Sequence, residues 1–271
     1  MRRLILSEAP GTSGNINLGS REYRYLVRVL RLEAGDHFRA LLPNGTEALF
    51  QITEIGKTSL KAAIINELGA TPESARADLE RRKALTPVPP IILCQALPKG
   101  QKMDLIVRQA TEAGVSRIIP FVSQHSVPRL DKTTSQQKIE RWSRIIKEAR
   151  QQSGSDVNTQ IEPITDMAGV LTFWNTLRQK TPNCRALLLH QDPLAKGTLH
   201  GYLEGNIESV MIAVGPEGGF SEDEANCFID QGFKPLLLGV NILRTETAAI
   251  FATAAVQVLL LEKVSWNLSN T

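Results

Sequence analysis

The chain has 271 residues, 42% hydrophobic and 22% charged, with a formal net charge of +3. This exceeds the roughly 100 to 200 residues of an ordinary domain, so one large or two unequal domains are expected. The balance excludes a disordered, collagen-like or low-complexity chain, and the three widely spaced cysteines suggest neither a disulfide framework nor a zinc site.

The opening MRRLILSEAPGTSG carries two arginines but no apolar run long enough for a signal peptide, so a cytoplasmic protein is expected. Over residues 1–70, the runs LILSEA, HFRALLP, EALFQITEI and SLKAAIINEL are separated by turn signals, with Asn44-Gly45 the strongest. These predict small antiparallel β-structure with a hairpin. Between them, REYRYLVRVLR interleaves Arg21, Arg24, Arg28 and Arg31 with Tyr23 and Tyr25. Arginines for phosphates and aromatic rings for bases suit RNA. Residues 71–90, charged and proline-bearing with little apolar content, read as a linker.

Beyond residue 90 the pattern changes. The apolar runs IILCQAL, RIIPFVS, NTQIEPI, RALLLH, SVMIAVG and KPLLLG alternate with helical segments near 101–114, 135–152, 166–179, 221–231 and 246–263. Continuous apolar strands between helices predict an α/β domain whose parallel sheet is covered on both faces. Met103, Ile106, Val107 and Ala110 define one buried helix face, and Ile139, Trp142, Ile145, Ile146 and Ala149 another. Cys94, Cys184 and Cys227 read as buried thiols. The last helix is apolar nearly all round, which calls for cover on more than one side, as a subunit interface gives. Its longest run, Ala248 to Leu261, is interrupted by Thr253 and Gln257 and falls short of the roughly 20 residues of a membrane span. No membrane partner is expected.

Charge is unevenly distributed. Residues 1–90 hold 13 Lys/Arg against 10 Asp/Glu, residues 91–150 hold 11 against 5, and residues 151–271 hold 7 against 13. In the middle block, Lys99, Lys102, Arg108, Arg129, Lys132, Lys138, Arg141, Arg144, Lys147 and Arg150 form either a solvated face or a surface for a polyanion.

Two glycine-bearing loops carry the sharpest local signal. SVMIAVGPEGGFSEDE runs from a strand through Gly215, Gly218 and Gly219 into a helix, where Ser221 and Glu224 make a capping box. LLLGVNILRTETAA again ends a strand on glycine, then presents Asn241, Arg244, Thr245, Glu246 and Thr247 before the final helix. In open α/β sheets, ligands bind outside the carboxyl ends of strands, where both loops fall. Neither G-x-G-x-x-G nor the Walker spacing is present, and Glu217 stands where a phosphate would meet negative charge. A dinucleotide or triphosphate is therefore disfavoured. A ligand with an adenine ring, free ribose hydroxyls and a cationic centre, such as S-adenosylmethionine, fits better.

At these residues the sequence resembles the bacterial RsmE-type methyltransferases. The resemblance rests on GPEGGFSEDE (215–224), LGVNILRTETA (238–248), YLVRVLRLEAGD (25–36), KGQKMDLIVRQATEAGV (99–115) and KIERWSRIIKEARQQS (138–153), and it runs in order over nearly the whole chain. It implies an S-adenosyl-L-methionine-dependent enzyme that methylates N3 of a uridine in 16S ribosomal RNA of the small subunit. It also implies an N-terminal PUA-like β-barrel (1–70), the linker (71–90), and a SPOUT α/β domain (91–271) with a trefoil knot, a topology that departs from the usual unknotted connection. A homodimer without metal is implied as well.

Carried over by position, Leu189, Gly215, Glu217, Gly218, Gly219, Leu238, Gly239, Ile242, Leu243, Arg244 and Thr245 would line the cofactor site. Arg24, Arg28, Arg31, Lys99, Lys102, Arg129, Arg141 and Arg144 would face the RNA. The chain departs from the family pattern on the substrate side. Ser153-Gly154-Ser155-Asp156 stand where an arginine commonly follows Q-S, Gln124-His125 stand for Glu-Arg, TEAGV for TELGV, and Tyr25 for a histidine. His125 and Arg129 are the candidates to replace the missing arginine.

Uracil N3 is a weak imide acid that must lose its proton before or during attack, so a base or an anion-stabilising cation is required. Arg244 is the candidate cation, with Glu246 or Glu217 as base and His125 as a second candidate. The competing reading is an RNA-binding SPOUT paralogue with another RNA substrate or without catalytic activity.

Overall fold

The structure is a computed structural model and describes residues 4–6, 8–11, 13–44, 46–67, 88–126, 131–190 and 197–263. The expected linker lies outside the described residues except for 88–90. The chain divides into two units, Met1–Thr86 with Gln151–Gly154, and Pro87–Arg150 with Ser155–Thr271.

Among the described residues, the first unit has five strands: β1 (Leu4–Ile5), β2 (Asn15–Leu18), β3 (His37–Leu41), β4 (Glu47–Ile55) and β5 (Leu60–Glu67), in the order β1-β3-β4-β5-β2. β3 and β4 alternate buried and less buried residues with period two, as a half-buried sheet requires. Their hairpin forms around Asn44, where Leu42 N–H donates to Thr46 O at 2.8 Å and Thr46 N–H to Asn44 Oδ1 at 3.0 Å. The inward residues make one core, with Phe38 and Phe50 stacked at 5.4 Å. The expected antiparallel pairing holds for β2–β5, β3–β4 and β4–β5, while β1 departs from it and pairs with β3 in parallel.

REYRYLVRVLR folds as a helix, α1 (Ser20–Tyr23), continued by a π-helical stretch (Arg24–Val29). Leu26 is buried, and Tyr23, Val27 and Leu30 pack on the same core, while Arg21, Arg24, Arg28 and Arg31 are exposed. The segment therefore has a packed face and a cationic face.

Among the described residues, the second unit holds seven strands: β6 (Ile91–Ala96), β7 (Arg117–Val122), β8 (Gln160–Ile161), β9 (Thr165–Asp166), β10 (Cys184–Leu189), β11 (Ser209–Val214) and β12 (Lys234–Leu236). All pairs are parallel, in the order β12-β10-β11-β6-β7-β8, with β9 also on β7. The strand read from NTQIEPI shortens to the two-residue β8. Every residue of β6 and β11 is buried, as in a sheet covered on both faces.

Alternate side chains feed two cores. Ile91, Leu93, Val210 and Ile212 join one, which contains residues of α2 (Lys102–Glu112), α3 (Lys132–Ser153) and α7 (Thr245–Lys263). Ile92, Cys94, Met211 and Ala213 join the other, with residues of α4 (Met167–Lys180) and α6 (Glu222–Asp230). The short helix α5 (Leu199–Tyr202) completes the set. In the second core, Phe228 meets Phe233 at 4.8 Å and Phe220 at 5.3 Å.

Burial pushes the Cys94 thiol well above its usual pKa, as expected for an inert core thiol. Cys227, expected to be buried, is only partly so.

By length and composition, residues 245–262 do reach the threshold for crossing a membrane, with a mean hydropathy of 1.3. The interrupted run had suggested otherwise. Their helix α7 nevertheless packs Ala249, Ala252, Val256 and Leu260 into the first core, leaving Phe251 and Val258 exposed.

Candidate functional site

The carboxyl ends of β10, β11 and β12 lie side by side, and the chain leaving them encloses a cavity of about 590 Å³. All eleven residues expected at the cofactor site line it, from Leu189 at the end of β10, through Gly215, Glu217, Gly218 and Gly219, to Leu238, Gly239, Ile242, Leu243, Arg244 and Thr245. Two loops separated by α6 and β12 thus meet at one place because their strands both pair with β10. Lys102, His190, Asn241 and Ala248 line it as well.

Local chemistry fixes the first loop. Ser221 Oγ accepts from Glu224 N–H at 3.2 Å, and Glu224 Oε2 accepts from Ser221 N–H at 3.0 Å, completing the capping box. Glu224 Oε1 accepts from Gln124 N–H at 2.7 Å, and His125 Nδ1 lies 3.2 Å from Gly219 O. The end of β7 is therefore moored to this loop. Space is tight there: a Cβ on Gly218 would lie 3.0 Å from His125 Cβ, and one on Gly215 would lie 3.2 Å from Gly219 backbone. Gly219, at φ +69°, and Gly239, at φ +136°, adopt backbone conformations that side-chain-bearing residues rarely take.

Lys102 joins two carboxylates beside the cavity, Glu217 in its lining and Glu246 behind it. Glu217 accepts from Lys102 Nζ at 2.7 Å and from Lys99 N–H at 3.2 Å to each oxygen. Desolvation alone would raise its pKa, but these donors outweigh it and hold the carboxyl below its usual range. Lys102 is held above the ordinary lysine value, first by its hydrogen bond to Glu217 and then by the charges of Glu217 and Glu246. Glu246 Oε2 lies 3.7 Å from Lys102 Nζ and is buried without a hydrogen-bond partner. Arg244 is exposed at the rim.

The residues expected to face RNA divide among several settings. Arg24, Arg28 and Arg31 are exposed in the first unit, with Arg31 at φ +57°. Lys102 belongs to the cavity, and Lys99 contributes its backbone N–H there. Arg141 pairs with Asp104, which also accepts from Trp142 Nε1 at 3.1 Å. Arg144 is exposed and donates to Glu140 O at 3.3 Å. Arg129 and the side chain of Lys132 lie outside the described residues.

Sequence reasoning missed Gln95. This amide is fully buried in β6 and bonded to Thr245; a single polar residue inside an apolar run was its only trace.

Residues 85–257 match the family described as RNA methyltransferase domain, and residues 18–65 match the RNA methyltransferase PUA domain. The ribosomal RNA small subunit methyltransferase E of Synechocystis is 30% identical over 95% of this chain and 78% of the relative. The Bacillus subtilis protein of the same name is 27% identical over 93% of this chain and 91% of its own. The Neisseria gonorrhoeae enzyme of that name, solved bound to S-adenosyl methionine, superposes with a TM-score of 0.74 at 25% identity, covering 96% of this chain and 98% of that one. With the family match over residues 85–257, 30% identity to the Synechocystis protein over most of both chains, and the glycine loops gathered at the carboxyl ends of β10, β11 and β12, the chain belongs to the ribosomal RNA small subunit methyltransferase E family.

Proposed function

We propose that this protein is an S-adenosyl-L-methionine-dependent methyltransferase that methylates N3 of a uridine in 16S ribosomal RNA of the small subunit. The observation that carries the reading is the convergence of both glycine loops on one cavity at the carboxyl ends of β10, β11 and β12. Its volume of about 590 Å³ falls within the range of about 300–1,000 Å³ for small-molecule sites. Leu189, Leu236, Leu238 and Leu243 offer apolar walls for an adenine ring. When bound, S-adenosylmethionine supplies an electrophilic methyl group.

The chain's own residues do the rest. Arg244 at the rim stabilises negative charge developing on the uracil carbonyl oxygens as N3 loses its proton. Glu246 is the better candidate to take that proton, because its Oε2 has no hydrogen-bond partner. Glu217 is the worse one, since it already accepts from Lys99 and Lys102 and its pKa is lowered. The new N3–methyl bond forms as the sulfur–methyl bond breaks, and S-adenosylhomocysteine leaves.

The first unit, carrying Arg24, Arg28 and Arg31 on its exposed helix face, is assigned to RNA as a PUA-like β-barrel over residues 1–70, followed by the 71–90 linker. Residues 91–271 are assigned as the SPOUT domain, with a trefoil knot around the cavity loops. A cytoplasmic homodimer completes the proposal. Leu105 on α2 and Phe251 and Val258 on α7 are exposed large hydrophobics, and covering such residues with a second copy removes apolar surface from water.

The test is transfer of labelled methyl from S-adenosylmethionine to small ribosomal subunits and total RNA from cells lacking this protein, followed by nucleoside analysis. A 3-methyluridine peak in 16S RNA is expected. No methylated nucleoside with cofactor binding intact would favour an RNA-binding paralogue instead.

A further inference from the structure

Gln95 carries an amide in the middle of a sheet whose neighbouring positions are apolar, and it is fully buried. Its Nε2 donates to Ala96 O at 2.9 Å and to Thr245 Oγ1 at 3.0 Å, and lies 3.4 Å from Gly215 O and 3.5 Å from Val214 O. Thr245 Oγ1 donates to Gly215 O at 2.6 Å. A hydroxyl has one proton, and here it is spent on Gly215, so towards Gln95 the hydroxyl can only accept. The direction of the chain is thereby fixed from Gln95 to Thr245 to Gly215. Turning the amide over would aim Oε1 at three carbonyl oxygens and a hydroxyl with no proton to give.

In the orientation found, Gln95 Oε1 is buried and has no partner. An unpaired buried acceptor is costly, and a methionine or leucine would fill a strand interior without that cost. Stability of the sheet therefore does not account for the amide. What it does accomplish is to join the end of β11 to the first residue of α7, so that Gly215 and Thr245, both lining the cavity, are held against each other.

We infer that Gln95 is a positioning residue of the cofactor site, pinning the two cavity loops together through Thr245. The inference rests on the reading of the cavity as the S-adenosylmethionine site. Gln95 is not among the residues lining the cavity and acts through those that do. Losing it should leave the sheet folded while the loops lose their mutual registry.

The test uses the full chain and Gln95→Met, which keeps the length of the side chain and removes its donors. S-adenosylmethionine affinity is measured by calorimetry, the fold by thermal unfolding, and KM and kcat by methyl transfer. Affinity should fall and cofactor KM should rise by about tenfold or more, with kcat at saturating cofactor within about threefold of the unaltered chain. A merely structural role would lower stability without this split. Thr245→Val, which removes the relaying hydroxyl, should give the same loss, and the double variant should be no worse than the worse single one, because both break one chain of bonds.

Binding by the unaltered chain together with affinity within about twofold in Gln95→Met overturns the inference. If Gln95→Met does not fold, Gln95→Leu, which also removes the amide from the same buried position, decides in the same way. Failure of the unaltered chain to bind S-adenosylmethionine overturns the cofactor reading, and the inference with it.

Discussion

Gly239→Ala isolates the backbone geometry of the second loop from every other effect. At φ +136°, Gly239 occupies a region that L residues rarely adopt, yet an added Cβ would meet nothing within 4 Å. The cost is therefore conformational rather than steric, about 1–3 kcal/mol for a residue held in so sparsely populated a region. Where that cost is felt depends on what the loop can do to escape it. Its neighbours Val240 and Ile242 are 99% and 78% exposed, so the free loop relaxes without disturbing the core and thermal stability barely changes. Cofactor binding must then restore the glycine geometry, and affinity falls by about 5- to 150-fold, the equivalent of 1–3 kcal/mol. Calorimetric titration with S-adenosylmethionine, paired with thermal unfolding, measures both quantities. Gly205→Ala is the control, since Gly205 sits at φ +80°, outside the cavity lining; it should lower stability and leave affinity alone. Unchanged affinity in Gly239→Ala would refute the claim that this loop conformation shapes the site.

Arg244→Ala should abolish methyl transfer while preserving the fold and cofactor binding to within about tenfold; near-normal transfer would remove Arg244 from the chemistry. Glu217 is held below the usual carboxylate range, so its contribution to stability is complete at neutral pH and is lost as pH falls through its own lowered pKa. The contribution of Lys102, whose pKa is raised, is lost instead as pH rises through the lysine range. Glu217→Gln should therefore flatten the acid limb of a stability profile taken by denaturant unfolding between about pH 7 and pH 3, and an unchanged acid limb would contradict the pairing. On the homodimer proposal, Phe251→Asp should give a monomer in sedimentation where the unaltered chain gives a dimer, with thermal unfolding little changed, because Phe251 is half exposed.

The parallel sheet was legible because β6 and β11 are buried on both faces, which forces uninterrupted apolar runs into the sequence. The first loop was legible for a similar reason: its glycines and its capping box are local requirements of a strand-to-helix turn. Interactions made across long stretches of chain were not legible. Lys102 and Glu217 are 115 residues apart, and no spacing rule links them, so Lys102 read as one cation of a basic, RNA-facing block rather than as a neighbour of Glu217. The π-helical stretch was hidden by its arginines, although Tyr23, Leu26, Val27 and Leu30 fall at i, i+3, i+4 and i+7 and all contribute to the first core. The parallel β1–β3 pair was missed because two residues are too short a run to set a pattern.

The structure also changes why phosphate ligands are disfavoured. Glu217 is not a free negative charge in the cavity, because Lys102 pairs with it at 2.7 Å, so repulsion by that carboxylate is largely cancelled. The stronger reason lies at the start of α6. A helix N-terminus binds phosphate through backbone N–H groups left over by the first turn, and here Glu224 N–H is taken by Ser221 Oγ while Ser221 N–H is taken by Glu224 Oε2. Glu224 Oε1 is occupied in turn by Gln124 N–H. The capping box thus spends donors that a phosphate would need and places a carboxylate beside them. What the cavity still offers is glycine backbone and leucine side chains, a set suited to a ligand that brings no phosphate.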